Sequence, residues 1–355
     1  MLKHNFSAGP CILPQEVFKE ASESILNFNN LNLSLIEVSH RSKDFVDVMN
    51  EAICLTKELL NVPTGYSVLF LQGGASLEFL MVAINLMKEK GKAIYLDTGT
   101  WSAKAIKEAK IFGETITIAS SKDKNYSYIP KNYNIPKEAC YFHCTSNNTV
   151  FGTQIKNFPI SPVSLVCDMS SDIFSRVINV DQFDLIYAGA QKNLGPAGTT
   201  LVIVKDNILG KTGRNIPTML DYRTHIDKKS MFNTPPVFSV YVSMLNLRWL
   251  KKNGGVKWAE NRNIEKANLL YQTIDNNPLF SGTVNKNDRS TMNATFLLNE
   301  IKLEKKFNEM WNENGINGLK GHRSVGGYRA SMYNAMSLES VNVLVEVMNE
   351  LEKKA

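Results

Sequence analysis

The sequence predicts an α/β protein: a large unit built on a mostly parallel, seven-stranded sheet, then a smaller α+β unit. Three observations lead there. From about residue 15 to 255, helical stretches alternate with short apolar runs. Such alternation belongs to parallel sheets covered on both faces, whose strands read as continuous apolar runs. After about residue 256 the texture changes to charged helices, one alternating strand and a Gly-rich basic stretch. Finally, 355 residues are enough for two domains with their own cores.

The strands of the large unit, 15–255, are expected at Val68–Leu71, Ala93–Leu96, Thr115–Ala119, Ala139–His143, Ser164–Asp168, Leu185–Ala188 and Thr200–Val204. Helical stretches such as 43–60 and 76–90 lie between or before them. In the small unit, 256–355, a helix at 258–277 leads to a strand at Thr291–Leu298, a helix at 300–314 and a final amphipathic helix at 337–353. The segment 1–14 is expected to pack nearby, on the first helix. In such parallel sheets ligands gather at the carboxyl ends of the strands.

Composition narrows the function. Hydrophobic residues make up 43% and charged residues 21%, the balance of a soluble globular protein. The net charge of +6 is scattered, without the concentrated stripe that nucleic-acid binding requires. The N-terminus lacks the apolar core of a signal peptide, and no apolar stretch approaches a membrane span, so a cytoplasmic protein is expected. Five cysteines, an odd number, read as reduced thiols rather than a disulfide framework. Cys140 and Cys144 would share a strand face but stand about 13 Å apart, too far for one metal, so no metal site is expected.

Four features carry chemistry. Lys192, in Ala190-Gln191-Lys192-Asn193, follows an apolar strand and precedes Gly195-Pro196. A lysine there can be partly desolvated, which frees its amine as a nucleophile; alone, a surface lysine would be the favoured reading. Asp168 ends another strand. It suits a pyridinium nitrogen as partner, or it caps the next helix. Gly73-Gly74-Ala75-Ser76 follows a strand and opens a helix, offering N–H groups and a hydroxyl to a phosphate; alternatively Ser76 simply caps that helix. Trp101 follows a further strand, where an aromatic can stack on a flat ring or merely pack. Each is ambiguous alone. In order, with Lys192 lying 24 residues beyond Asp168, they form a pyridoxal-phosphate constellation of phosphate cradle, ring stacker, ring-nitrogen partner and Schiff-base lysine.

At this point the chain resembles the phosphoserine aminotransferases, class-V enzymes of fold-type I. The resemblance runs through Asn5-Phe6-Ser7-Ala8-Gly9-Pro10, Ser39-His40-Arg41-Ser42, Gly99-Thr100-Trp101-Ser102 and Ser146-Asn147-Asn148-Thr149. It continues through Asp168-Met169-Ser170-Ser171 and Asn233-Thr234-Pro235-Pro236 to Gly321-His322-Arg323-Ser324-Val325-Gly326-Gly327-Tyr328-Arg329, its most specific string. It implies that pyridoxal 5′-phosphate is joined to Lys192, paired with Asp168, stacked on Trp101 and hydrogen-bonded by Thr149. Ala75, Ser76 and Gln191 would hold its phosphate. Asn233 and Thr234 would reach the neighbouring subunit's cofactor, so the site implies a homodimer. Some members carry Arg where Ser76 stands, which leaves fewer formal charges here.

The resemblance also implies the reaction. Glutamate and 3-phosphohydroxypyruvate are anionic at both ends, and His40, Arg41, His322, Arg323 and Arg329 supply matching cations; Arg in particular binds carboxylate or phosphate oxygens in pairs. Arg329 would take the α-carboxylate and the others the distal group. His4, His143 and His225 are left structural. The implied chemistry is ping-pong transamination giving O-phospho-L-serine and 2-oxoglutarate, with the Lys192 amine as general base. The longer phosphorylated keto acid of vitamin B6 synthesis is a second expected substrate. A cysteine desulfurase of the same broad fold needs a catalytic Cys in a late loop, whereas the last Cys here, Cys167, lies within a strand. A non-enzymatic protein that binds the cofactor would not need the lysine, aspartate and cations together.

Overall fold

Strand β1 (His4–Asn5) opens the chain, and helices α1 (Gln15–Leu26) and α2 (Lys43–Leu60) precede the first long strand, β2 (Tyr66–Leu71). In this computed structural model, which describes residues 3–355, strands and helices then alternate. They are α3 (Gly74–Leu86), β3 (Lys92–Asp97), α4 (Thr100–Ala109), β4 (Glu114–Ser120) and β5 (Tyr141–Thr145). A short hairpin of β6 (Asn147–Asn148) and β7 (Thr153–Gln154) leads to β8 (Ser164–Asp168), β9 (Leu185–Gly189) and β10 (Thr200–Lys205). Helices α5 (Tyr222–Asp227) and α6 (Val237–Lys252) complete this part.

Seven strands form one sheet in the order β2-β10-β9-β8-β5-β3-β4, and only β10 runs antiparallel to its neighbours. These are the seven expected runs, each within two residues of the expected ends. Alternation along each strand divides the side chains between two layers. Phe70, Ile94, Phe142, Cys144, Cys167 and Ile186 pack with α1, α2 and α6. Leu69, Tyr95, Tyr141, Val166 and Tyr187 pack with α3 and α4. Cys140 precedes β5 and packs in the second layer, whereas Cys144 faces the first, 3.7 Å from Cys167; the expected shared face of Cys140 and Cys144 is not found.

A second core is built from α7 (Gly255–Asn276), β11 (Phe280–Gly282), β12 (Asn293–Leu298), α8 (Glu304–Glu313), β13 (Ile316–Asn317), β14 (Tyr328–Ser331) and α9 (Leu338–Lys353). Strands β11, β12 and β14 make an antiparallel sheet. Helix α7 spans both cores: Val256 and Ala259 pack in the first, Leu270 and Ile274 in the second. The segment before α1 packs mainly beside the second core rather than on the first helix. Strand β1 pairs in parallel with β13, and Phe6 is buried in the second core; the chain joins the first core only at Leu13. Met1 and Leu2 lie outside the described residues.

Two buried polar groups brace the elements that end at the sheet's carboxyl edge. Asn246 on α6 donates from Nδ2 to the carbonyls of Asn193 (2.7 Å) and Leu194 (3.0 Å), fastening the loop after β9. Asn246→Ala strands both carbonyls, and urea unfolding should register a loss of about 1–3 kcal/mol. Glu78, fully buried on α3, accepts a hydrogen bond from Tyr222 Oη (2.5 Å) through one oxygen; the other has no partner. Burial pushes its carboxyl up to about 8, against the opposing Tyr222 bond. Between the ordinary value of 4.5 and about 8 the folded state holds a proton that the unfolded chain releases. Stability therefore falls as pH rises through that window. Unfolding curves at pH 6 and 9 should show this loss in the parent protein and a smaller one in Glu78→Gln.

Candidate active site

Strands β2, β3, β8 and β9 run in the same direction, and the loops leaving their carboxyl ends enclose a cavity of about 370 Å³. Lys192 enters it from the turn after β9. This turn is closed by bonds from the N–H groups of Lys192 (2.6 Å) and Gly195 (2.8 Å) to the Ala190 carbonyl. Lys192 is only 8% exposed and forms no ion pair with any described residue. Burial lowers its pKa below the ordinary lysine value, and Asp168 opposes that shift. The reading of Lys192 as a surface lysine therefore fails on burial.

Asp168 closes β8 and is 4% exposed. Its Oδ1 accepts from Ser170 N (2.9 Å) and Ser170 Oγ (2.6 Å), while Oδ2 takes no hydrogen bond from a described residue. Burial raises its pKa, and the Ser170 bonds and Lys192 counter it. One oxygen thus holds the following turn; among the described residues no helix directly follows β8 for Asp168 to cap. The other is left for something in the cavity.

The cradle is the N-terminus of α3. Gly73 takes the cap position at φ +94° and makes no side-chain cap bond. A Cβ there would fall 2.4 Å from Leu77 Cδ2, so only glycine allows the helix to start here. Ser76 sits inside the first turn and does not cap the helix. Gly74, Ala75 and Ser76 line the cavity with first-turn N–H groups that have no intrahelical acceptor. Gln191 lines the same cavity.

Trp101 stands in the first turn of α4, its ring centroid 5.7 Å from Lys192 Nζ. Its Nε1 donates to Thr149 Oγ1 (3.0 Å), which leaves the Thr149 hydroxyl hydrogen free to donate. Arg329, on β14, reaches the same wall. Its guanidinium donates to the Thr149 carbonyl (3.0 Å), and its Nε is buried without a partner. His322 also lines the cavity, its Nδ1 2.7 Å from Ser324 Oγ. Partial burial, then the charges of Arg329, Arg323 and Lys104, lower its pKa.

The remaining expected residues do not line this cavity. Arg323 is exposed beside His322. His40 is buried with Nε2 unpartnered, and Arg41 is exposed, both in the loop before α2. Asn233 and Thr234 lie outside the cradle, where Gln72 Nε2 donates to the Thr234 carbonyl (2.9 Å). The histidines left structural are engaged elsewhere: His4 with Ser340, His143 with Tyr187, and His225 with the Met219 carbonyl. Three residues without an expected role belong to the site. Ser170 orients Asp168, Asn147 lines the cavity, and Lys104 places Nζ 4.6 Å from the Trp101 centroid. Ser170 and Asn147 sit within strings already quoted for the family resemblance; Lys104, one helical turn after Trp101, had no such signal.

The family model for class-V aminotransferases matches residues 3–344. A phosphoserine aminotransferase of Flavobacterium psychrophilum is 67% identical over 355 residues, covering all of both chains. Among solved structures, the phosphoserine aminotransferase from Bacillus circulans subsp. alkalophilus is 44% identical, with TM-score 0.96 and 99% of each chain covered. That of Trichomonas vaginalis, solved with pyridoxal phosphate bound, is 35% identical with TM-score 0.93, covering 98% of this chain and all of the other. The cavity, its lysine and its cradle therefore lie within a chain that belongs to the class-V aminotransferase family, among the phosphoserine aminotransferases.

Proposed function

We propose that this chain transfers the amino group of L-glutamate to 3-phosphohydroxypyruvate, giving 2-oxoglutarate and O-phospho-L-serine, with pyridoxal 5′-phosphate as cofactor. One observation carries the reading. A buried lysine without an ion pair and a buried carboxylate with one free oxygen face a single cavity, whose wall also holds a helix N-terminus, the Arg329 guanidinium and the His322 ring. Desolvated groups of this kind need partners. An aldehyde for Lys192, a pyridinium for Asp168 and a phosphate for the α3 cradle satisfy all three at once. When bound, the cofactor supplies an electron sink for charge developing at the substrate's α-carbon.

The chain's own residues do the rest. Ser170 holds the Asp168 carboxylate at one oxygen, which directs the other toward a ring nitrogen. Thr149, its oxygen already accepting from Trp101, turns its hydrogen toward the cavity. Ala75, Ser76 and Gln191 take the phosphate through N–H and hydroxyl donors. Arg329 binds the α-carboxylate with the donors left free by its bond to Thr149. His322 and Arg323 meet the distal anionic group. The Lys192 amine, kept basic but desolvated, would take the proton from the substrate's α-carbon.

His40, Arg41, Asn233 and Thr234 fit the same scheme when a second copy of the chain supplies them, and we place the working enzyme as a homodimer in the cytoplasm. No helix among the described residues is long and apolar enough to cross a membrane. The division into a large unit, 15–255, and a small unit, 256–355, with the N-terminal segment nearby, is proposed to fall within the span of α7. Turnover of the phosphorylated keto acid of vitamin B6 synthesis is proposed as a second activity, to be compared with 3-phosphohydroxypyruvate in one glutamate-coupled assay.

Two substitutions test the assignment. Lys192→Ala should abolish both glutamate turnover and the visible absorbance of bound cofactor. An active Lys192→Ala protein would sink the reading. Arg329→Gln removes a charge-assisted pair of hydrogen bonds, so kcat/KM should fall by about 10- to 100-fold for both glutamate and the keto acid. A loss confined to the phosphorylated substrate would instead put Arg329 at the distal end.

A further inference from the structure

The chain before α1 runs from the second core to the lysine turn, and nothing in the proposed chemistry uses it. Phe6 N donates to the Asn317 carbonyl (2.8 Å), and the Phe6 carbonyl accepts from Ser331 N (3.2 Å). Tyr333, fully buried just beyond β14, donates from Oη to the Ala8 carbonyl (2.7 Å). Ala8 and Gly9 then form part of the cavity wall. Gly9 has φ +148°, and a Cβ there would stand 3.4 Å from Lys192 Cγ, so the strap runs beside the lysine's own side chain. Finally Cys11 clasps the turn. Its N–H donates to the Gln191 carbonyl (3.2 Å), and its thiol points at the Lys192 carbonyl (3.0 Å), shared with that of Ile12 (3.2 Å).

We propose that Ala8–Cys11 is a positioning strap for Lys192, with Cys11 clasping the lysine's turn and Tyr333 tying the strap to the strand that carries Arg329. Through it, the residue that grips the substrate's carboxylate and the residue that moves its proton are referenced to one piece of backbone. Arg329 lies on a strand of the second core and Lys192 on a turn of the first, also tied by the bond from Asn334 N to Asn193 Oδ1 (3.0 Å), and proton transfer is sensitive to placement: a shift of about 1 Å can cost roughly 100-fold in rate. Burial pushes the Cys11 thiol up to about 12, so it remains a donor throughout the neutral range. A thiol is a weak donor, which suits a bond that trims a position rather than one that holds a fold.

The inference rests on the reading of Lys192 as the residue joined to the cofactor, and its failure is separable from failure of that reading. The holoenzyme is compared with Cys11→Ala, Cys11→Ser, Tyr333→Phe and the Cys11→Ala/Tyr333→Phe double variant. The deciding readout is the pH midpoint at which the visible absorbance of the Lys192-joined cofactor changes, a property that a merely structural contact would leave alone. Both Cys11→Ala and Tyr333→Phe should move that midpoint and lower kcat by about 5- to 20-fold, with KM for glutamate held within about twofold. Cys11→Ser keeps a donor and should recover most of the loss. Because both single changes cut one link, the double variant should lose no more than about twice what the worse single loses. A midpoint unmoved in both single variants overturns the strap, as does a double variant whose loss is the product of the two, even where Lys192→Ala is dead. If Cys11→Ala does not fold, Tyr333→Phe, which removes one oxygen and keeps the ring, decides alone.

Discussion

Lys192 and Asp168 are both buried, carry opposite charges when ionised, and do not meet. Two such groups in a protein interior would ordinarily close on each other, because a buried charge without a partner is costly. Here the backbone prevents it. Asp168 is the last residue of β8, in register with Tyr187 on β9, while Lys192 sits five positions further along, on a turn held by its own hydrogen bonds. Ser170 occupies one oxygen of the aspartate, and Cys11 and Asn246 hold the backbone on either side of the lysine. The separation is built into the sheet, and the cavity between the two groups is its result.

Keeping such a gap open requires stiff surroundings, which explains the amount of polar structure buried near it. Glu78, on the cradle helix itself, is held by Tyr222, and His143 and Tyr187 stand on the Asp168 face of the sheet. Burial lowers the His143 pKa to about 3, so it stays neutral and serves as a fixed hydrogen-bonding group. These pairs fix side chains in one arrangement at some cost in stability, since Glu78 Oε1 and His143 Nδ1 are buried without partners.

The large sheet was legible because its strands are buried on both faces and so read as apolar runs interrupted by helices. The chemistry at its edge was legible for a related reason: Lys192, Asp168, Trp101 and the Gly73-Gly74 turn all follow such runs directly. The second unit was less so. Strand β14 emerges from a Gly-rich stretch with no alternation to mark it, and β1 is two residues long, with a partner, β13, more than 300 residues away. Ser170 was passed over because a hydroxyl two residues after an aspartate is common. Its importance depends on the turn that aims it back. His40, Arg41, Asn233 and Thr234 lie away from the cavity of their own chain, a placement that residue type alone does not carry.

The cations of the site are distributed in a way that bears on how one pocket serves two substrates. Arg329 sits on β14, bonded to Thr149, within a packed sheet. His322 and Arg323 sit on a loop flanked by Gly321, Gly326 and Gly327, and Arg323 is exposed. The α-carboxylate, shared by glutamate and the phosphorylated substrate, would thus meet the rigid cation, and the distal group, which differs in length and charge, would meet the adaptable ones. Arg suits the first task through its planar fork, and side chains on an exposed loop at the cavity mouth suit the second. The strap from β1 to Cys11 completes this division: it links the rigid cation to the lysine.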